Sequence, residues 1–443
     1  MAENSGIIQK VIEGLKHAVL EKGTFIYRIH IPAIRRNRRK IEARPAKSRI
    51  RVGFLVQCPE NWATLQSVWD GAVEDDRIEP VALLVPEIEL AYYLILKKVV
   101  WEKTYAFGEK VFGDRAIRAY NPDTGAWQDP KAFDLDYIII QRPFETYLPK
   151  GYRAGDFSRF AKVCYIPYSF LVTTSPRIKE IEYNSHFIRN VSMIFCEKQA
   201  SLDYVNRKFA QTIRKGDQKA FSHGYPKFDL IKGKPGVDSA LWPRKRDSGI
   251  YRMIWTPRWT TDPALGGSHF FDYKDQMIAM AEKDPTIDLV FRPHPLALDH
   301  YVSAGLMTAE DRQDYLDRYA QCMNANIDRT TEYDDTFFSS DCLVTDITSV
   351  LIDYLFTGKP IVYCTSPIDR YLFAPELHEC LYKVESFDEI TRTVEQLRKG
   401  IDPKKELREK VVRMLRPDGS AAAAILEEIR KDYPGYASGK RAE

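Results

Sequence analysis

Residues 341–364 read DCLVTDITSVLIDYLFTGKPIVYC, and this stretch decides the fold. An apolar run ends at Thr345-Asp346, Thr348 and Ser349 stand where a helix begins, Gly358 closes that helix, and Pro360 opens a second apolar run. A strand, a helix and a strand in this order argue a parallel sheet whose faces are covered by helices. Working upstream, YRMIWTP and IDLVFRPHP are further strands, separated by the helical FFDYKDQMIAMAEKD, and a helical stretch follows at 309–323. Downstream come the helices FDEITRTVEQLRKG and AAAAILEEIRKDY.

A first series of the same kind begins at Arg51. RVGFLVQ, EPVALLVP, LDYIIIQRP, KVCYIPYSFLV and SMIF are strands, interleaved with helices such as NWATLQSVWDGAVED. Its 443 residues are too many for one hydrophobic core. The Pro/Gly-rich interval KGKPG…WPRKRDSG at 232–249 has the composition of a connection between domains. The expected architecture is α/β with two domains of similar size and a cleft between them: an N-terminal segment over 1–48, a first domain over 49–225, a second over 226–415, and a C-terminal helix over 416–443.

Sixty-five basic and 62 acidic side chains leave a formal charge of +3, which excludes a protein coated with positive charge for gripping nucleic acid. The basic residues are nevertheless concentrated: between Arg28 and Arg51 there are ten Lys or Arg against the single acid Glu42. Residues 1–22 precede this cluster with Ile8, Ile12, Leu15 and Val19 at helical spacing. An amphipathic helix beside a basic cluster supplies the two signals of peripheral anchoring to an anionic membrane; a solvated linker and a nucleic-acid arm are the alternatives. The seven cysteines contain no C-x-x-C pair, so a reducing, cytoplasmic setting is expected and no zinc or other metal site is visible. No apolar run reaches the roughly 18 residues of a membrane-spanning helix.

Ligands of parallel α/β sheets bind outside the carboxyl ends of the strands, and phosphates favour the helix N-termini there. Four strand ends of the second series carry suitable residues: Asp346, Thr348 and Ser349; Arg292 and His294, the latter between two prolines; Thr256 and Arg258, flanked by Trp255 and Trp259; and His223, Gly224 and Tyr225 at the entry. Together they read as a diphosphate site, although Asp346, Thr348 and Ser349 could equally only cap a helix. The loop Gly266–His269 reads as a mobile lid. Phosphate-loop, dinucleotide-fold, serine-hydrolase and HExxH motifs are absent.

The order GYPKFD, IWTPRW, FRPHP and EYDDTFFSSDCLVTDITSVLIDYLFTGKPIVY, over about residues 220–365, resembles the CDP-glycerol glycerophosphotransferases, which include teichoic acid primases and polymerases. The resemblance implies a GT-B fold of two Rossmann-like domains with parallel sheets facing a central cleft, the second domain holding a CDP-linked donor and the C-terminal helix packing back on the first. It assigns the catalytic histidine of the HP motif to His294 and donor contacts to Gly224, Tyr225, Thr256, Arg258, Arg292, Asp346, Thr348 and Ser349. Ile347 and Thr348 replace the Tyr and first Ser of the family's T-D-Y-S-S. The family's first-domain W-H-G-T-P-L-K corresponds to VCYIPYSFLV, which contains no histidine; Tyr165 and Tyr168, or the later His186, are the acceptor-side substitutes. The resulting expectation is a cytoplasmic enzyme, peripheral at the inner face of the membrane, that transfers glycerol phosphate from CDP-glycerol to an envelope polymer or lipid-linked acceptor without a cofactor or nucleic acid. A nucleotide-sugar glycosyltransferase of capsule or lipopolysaccharide synthesis and a non-catalytic nucleotide-binding relic are the alternatives.

Overall fold

The computed structural model describes residues 23–91, 96–171, 176–232, 237–247, 249–263, 266–330, 333–366, 368–369, 375–416 and 419–434. The amphipathic helix expected over 1–22 lies outside them. The chain divides into two units, one from Met1–Ser169, Pro176–Lys227 and Gly419–Glu443, the other from Phe170–Ser175 and Phe228–Asp418.

The strands of the first unit are β1 (Ile50–Val56), β2 (Ile78–Leu84), the hairpin β3–β4 (Glu87–Ala91 and Leu96–Val100), β5 (Ala116–Arg118), the hairpin β6–β7 (Tyr120–Asn121 and Ala126–Trp127), β8 (Tyr137–Ile140), β9 (Lys162–Tyr165), β10 (Met193–Phe195) and β11 (Lys219–Phe221). Seven of them form one parallel sheet in the order β11-β10-β9-β8-β1-β2-β5. Leu65, Val68, Trp69 and Ala72 recur at helical spacing along Ala63–Glu74, so that helix buries one stripe against β1. The C-terminal helix Ala421–Asp432 adds Ala422, Ile425, Leu426 and Ile429 to the same core. It comes close because position 71 is glycine: a Cβ there would sit 3.0 Å from Leu426 Cδ1.

The basic segment is partly built into this unit. Helix Gly23–Glu42 carries Arg35, which grips Asp217 through two 2.5 Å hydrogen bonds, and Arg38, which donates to Ser192 Oγ at 3.2 Å. Beyond the helix, Lys47 lies 2.9 Å from Asp134 and 3.2 Å from Asp136, and Arg51 pairs with Glu79. Arg36, Arg39 and Lys40 stay exposed. The segment is therefore neither a linker nor a free arm along its described length, because carboxylates of the first unit capture several of its charges.

The second unit holds β12 (Tyr251–Thr256), β13 (Ile287–Phe291), β14 (Ala325–Ile327), β15 (Cys342–Thr345), β16 (Ile361–Cys364) and β17 (Tyr382–Val384). They form a parallel sheet in the order β14-β13-β12-β15-β16-β17. Trp255 pairs with Phe291, Phe291 with Ile327 and Thr256 with Thr345, so four strands end level with one another and deliver their following residues to one edge. β14 escapes a sequence reading because it has only three residues and directly follows a helix.

The described part of the Pro/Gly-rich interval lies in the second unit. Trp242 is buried there, Arg244 donates to Asp288, and the Arg252 guanidinium lies 5.0 Å over the Trp242 ring. Its charges have buried partners, which a composition count does not reveal.

Candidate functional site

A cavity of about 640 Å³ opens at the carboxyl edge of the second unit's sheet. Its walls come from the residues after β12 (Thr256, Arg258, Trp259), after β13 (Arg292, His294), after β14 (Asp328, Arg329, Thr330) and after β15 (Thr348, Ser349, Val350), with Leu298, Arg312 and Leu316 closing the far side. A volume of this size suits a nucleoside diphosphate.

Thr256 is buried, and its Oγ1 has no hydrogen-bond partner among the described residues. The same holds for Arg258 Nε, while another nitrogen of that guanidinium donates to the Ile347 carbonyl. Both atoms are closed off from solvent, and Arg258 Nε lies on the Gly266 side of its guanidinium. Ser349 precedes the helix Val350–Leu355, and its hydroxyl makes no cap bond, which departs from the capping role expected of it. Thr348 Oγ1 turns back to Thr345 Oγ1 at 3.2 Å. The hydroxyl of Thr345 is itself drawn to the Thr256 carbonyl at 2.8 Å, so the local hydrogen bonding favours the strand edge over the helix start.

His294 accepts the Leu296 backbone N–H on Nδ1 at 3.2 Å. An amide can only donate, so Nδ1 carries no proton in the neutral ring and Nε2 carries it. Desolvation, followed by the Arg258 cation, lowers this histidine's pKa below the ordinary value, which favours that neutral, Nε2-protonated form at neutral pH. Its ring lies 5.9 Å from that of Trp259.

The other residues expected at the donor site behave differently. Arg292 pairs with Asp328, donates to the Thr330 carbonyl at 3.0 Å, and sits 4.6 Å over the Tyr333 ring. Much of its donor capacity is therefore spent on the protein. Asp346 does not line the cavity; its buried carboxylate accepts from Arg258 N at 2.8 Å, His269 N at 3.1 Å and His269 Nδ1 at 2.7 Å. Gly224 and Tyr225 belong to the first unit, where Tyr225 is buried with its hydroxyl 3.0 Å from Thr64 Oγ1. Gly224 has φ of 89°, a left-handed turn that glycine permits. His223 lies 3.7 Å from Glu428 in the same unit.

On the acceptor side, Tyr165 ends β9 fully buried and donates to Glu182 Oε1 at 2.5 Å. Burial, then the Glu182 charge, raises the Tyr165 phenol well above its ordinary pKa. Tyr168 is half-buried, its ring 6.0 Å from Phe144. His186 is exposed, with Nδ1 3.0 Å from Arg189 and Nε2 3.5 Å from Glu145.

Arg329 and His269 carry no role in the sequence motifs. Arg329 follows the unread strand β14. His269 reads as part of a lid because its partner, Asp346, is 77 residues away. His269, Asp346 and Cys364 bring three ligand-capable atoms within 4.8 Å of one another. Three N–H donors, two of them from His269, already occupy the Asp346 carboxylate. All seven cysteines are free.

A family model described as CDP-Glycerol:Poly(glycerophosphate) glycerophosphotransferase matches residues 179–417, more than half of the chain. No curated protein sequence matches significantly. Among solved structures, a UDP-GlcNAc 2-epimerase from Neisseria meningitidis bound to UDP-GlcNAc aligns with a TM-score of 0.58 and 13% identity, over 86% of this chain and 100% of that one. A variant of the wall teichoic acid polymerase TagF aligns with a TM-score of 0.55 and 12% identity, over 95% and 99%. A TagF variant soaked with CDPG aligns with a TM-score of 0.52 and 12% identity, over 94% and 98%. At these identities the solved structures establish the fold, two parallel α/β units of the GT-B type.

Proposed function

This chain belongs to the CDP-glycerol:poly(glycerophosphate) glycerophosphotransferase family, and from that membership we propose that the cavity of its second unit binds the cytidine diphosphate of CDP-glycerol for transfer of glycerol phosphate to an envelope polymer or lipid-linked acceptor. The observation that carries the reading is the convergence of Arg258, His294, Thr348 and Ser349 on one cavity at the strand edge. In the transfer, the acceptor hydroxyl oxygen bonds to the β-phosphorus and releases its proton to water, the bond from that phosphorus to the bridging oxygen breaks, and CMP leaves with the electron pair. Donors fixed before the reaction stabilise the charge that grows on the leaving phosphate. His294 contributes as a neutral Nε2–H donor and Arg258 as a cation. On the acceptor side the proposal rests on Tyr168, which is half-buried, because Tyr165 is fully buried and bonded to Glu182.

No helix among the described residues is long and apolar enough to cross a membrane. The exposed Arg36, Arg39 and Lys40 support a peripheral site at an anionic, cytoplasmic membrane face, where a lipid-linked acceptor is reached.

Calorimetric titration with CDP-glycerol, CMP, and UDP- and GDP-sugars tests the donor assignment. CDP-glycerol is expected to bind best, with His294→Ala weakening it by roughly tenfold or more, the worth of a hydrogen bond to a charged group. Preference for a uridine or guanosine sugar would move the enzyme to a glycosyltransferase; indifference to His294→Ala would remove that residue from the site.

A further inference from the structure

The segment between β12 and the helix Phe270–Lys283 carries Arg258 at one end and His269 at the other. Asp346, placed after β15, holds both ends. Its Oδ2 accepts the backbone N–H of Arg258 at 2.8 Å and of His269 at 3.1 Å, while Oδ1 takes His269 Nδ1 at 2.7 Å. The carboxylate also sits at the N-terminus of a 14-residue helix, where negative charge is favoured. The Arg258 carbonyl accepts from Ser268 Oγ at 2.6 Å and Tyr301 OH at 2.8 Å. Gly266 rests against Ile347: its φ is 112°, and a Cβ there would lie 2.8 Å from Ile347 Cγ2. Ser366 Oγ donates to the Gly266 carbonyl at 2.7 Å from the opposite side. The imidazole of His269 stacks on Tyr273 at 5.4 Å with the planes 7° apart.

The geometry points to a latch: Asp346 and His269 are positioning residues that hold Arg258 against the cavity, and Asp346 is not itself a phosphate ligand. This rests on the donor-site reading for its functional consequence, though not for its structural one. A carboxylate aimed at a diphosphate would repel it, whereas here it is turned inward and saturated by N–H donors. It also corrects the reading of Gly266–His269 as a mobile lid, since those described residues are tied from two sides.

Protonation belongs to the same device. The groups facing His269 are Asp346 after β15, Asp272 on its own helix, Asp369 and Cys364 from the β16 side, the stacked Tyr273, and Arg258 across the latch. The carboxylates outnumber the single cation, and the hydrogen bond from Asp346 raises the histidine pKa despite burial. The latch is tightest with an imidazolium and loosens as pH rises through that raised pKa.

The test compares wild type with Asp346→Asn, His269→Ala and His269→Asn, whose amide nitrogen can take the place of Nδ1. Hydrogen exchange of the amides in 257–263 and 266–269 reads the latch directly, and CDP affinity across pH 6–9 reads its consequence. Asp346→Asn and His269→Ala should speed exchange and weaken CDP by about tenfold. His269→Asn should restore most of both and flatten the pH dependence of CDP affinity. Unchanged exchange in Asp346→Asn overturns the latch, as does loss of CDP binding with exchange intact, which would make Asp346 a ligand. If wild type binds no CDP, the donor reading fails, and the exchange data still decide the latch.

Discussion

The carboxyl group of Glu182 is almost wholly removed from water in the first unit, with Tyr165 donating to it at 2.5 Å. Burial pushes its pKa up to about 8, with the Tyr165 hydrogen bond opposing and nearby Glu197 adding to the rise. Glu197 differs although it is just as buried: burial would raise it, but Lys198 at 2.6 Å, Ser201 at 2.6 Å and Tyr183 at 2.5 Å hold it below its ordinary value. For Glu182 the folded protein binds the proton more tightly than the unfolded chain between about pH 4.5 and 8. Its contribution to stability is full below that window and is lost as pH rises through it, at up to about 1.4 kcal/mol per pH unit. Glu182→Gln keeps the shape without the titration. The melting temperature of this variant relative to wild type should therefore rise between pH 5 and pH 8; a difference that stays constant would mean the carboxyl does not titrate there.

At the scale of elements, the C-terminal helix is held by more than its apolar stripe. Asp432 at its end receives Lys162 at 2.8 Å, Lys219 at 2.7 Å and the Tyr137 hydroxyl at 2.9 Å, from three parallel strands of the first sheet. Burial favours its neutral form, but the two lysines prevail and keep it below its ordinary pKa. Lys162 is itself buried, and removing Asp432 leaves it only the half-exposed Glu42, 3.0 Å away, as a carboxylate partner. Asp432→Ala should cost about 3 kcal/mol in denaturant titration, partly relieved by adding Lys162→Met; no relief in the double variant would show that the buried charge is not the cause. The helix itself was legible as AAAAILEEIRKDY, and its return to the first unit was expected from a family resemblance. What tethers it was not legible, because Lys162 and Asp432 are separated by 270 residues.

Over the whole molecule, a formal charge of +3 conceals an uneven distribution. Asp217, Asp134, Asp136 and Glu79 take up Arg35, Lys47 and Arg51, while Arg36, Arg39 and Lys40 face solvent. At about 1 kcal/mol per basic residue near anionic lipid, replacing those three with alanine should weaken binding to phosphatidylserine or phosphatidylglycerol vesicles on the order of a hundredfold. Sedimentation with vesicles that is equal for wild type and the triple variant would place the membrane contact elsewhere. The alternation of apolar strand runs with helical periodicity was enough, by itself, to determine two parallel α/β units and the strand ends that carry Thr256, Arg258, His294 and Ser349, because those signals are local and repeat along the chain. Tertiary structure alone decided which side chains remain available there. Arg292 is committed to Asp328, Asp346 to His269 and Arg258, and Tyr165 to Glu182, while Tyr225 is placed in the first unit. Whether a charged or hydroxyl group meets a ligand or a protein partner depends on residues far away in sequence, and the desolvation that makes each pairing obligatory exists only once the sheets are packed.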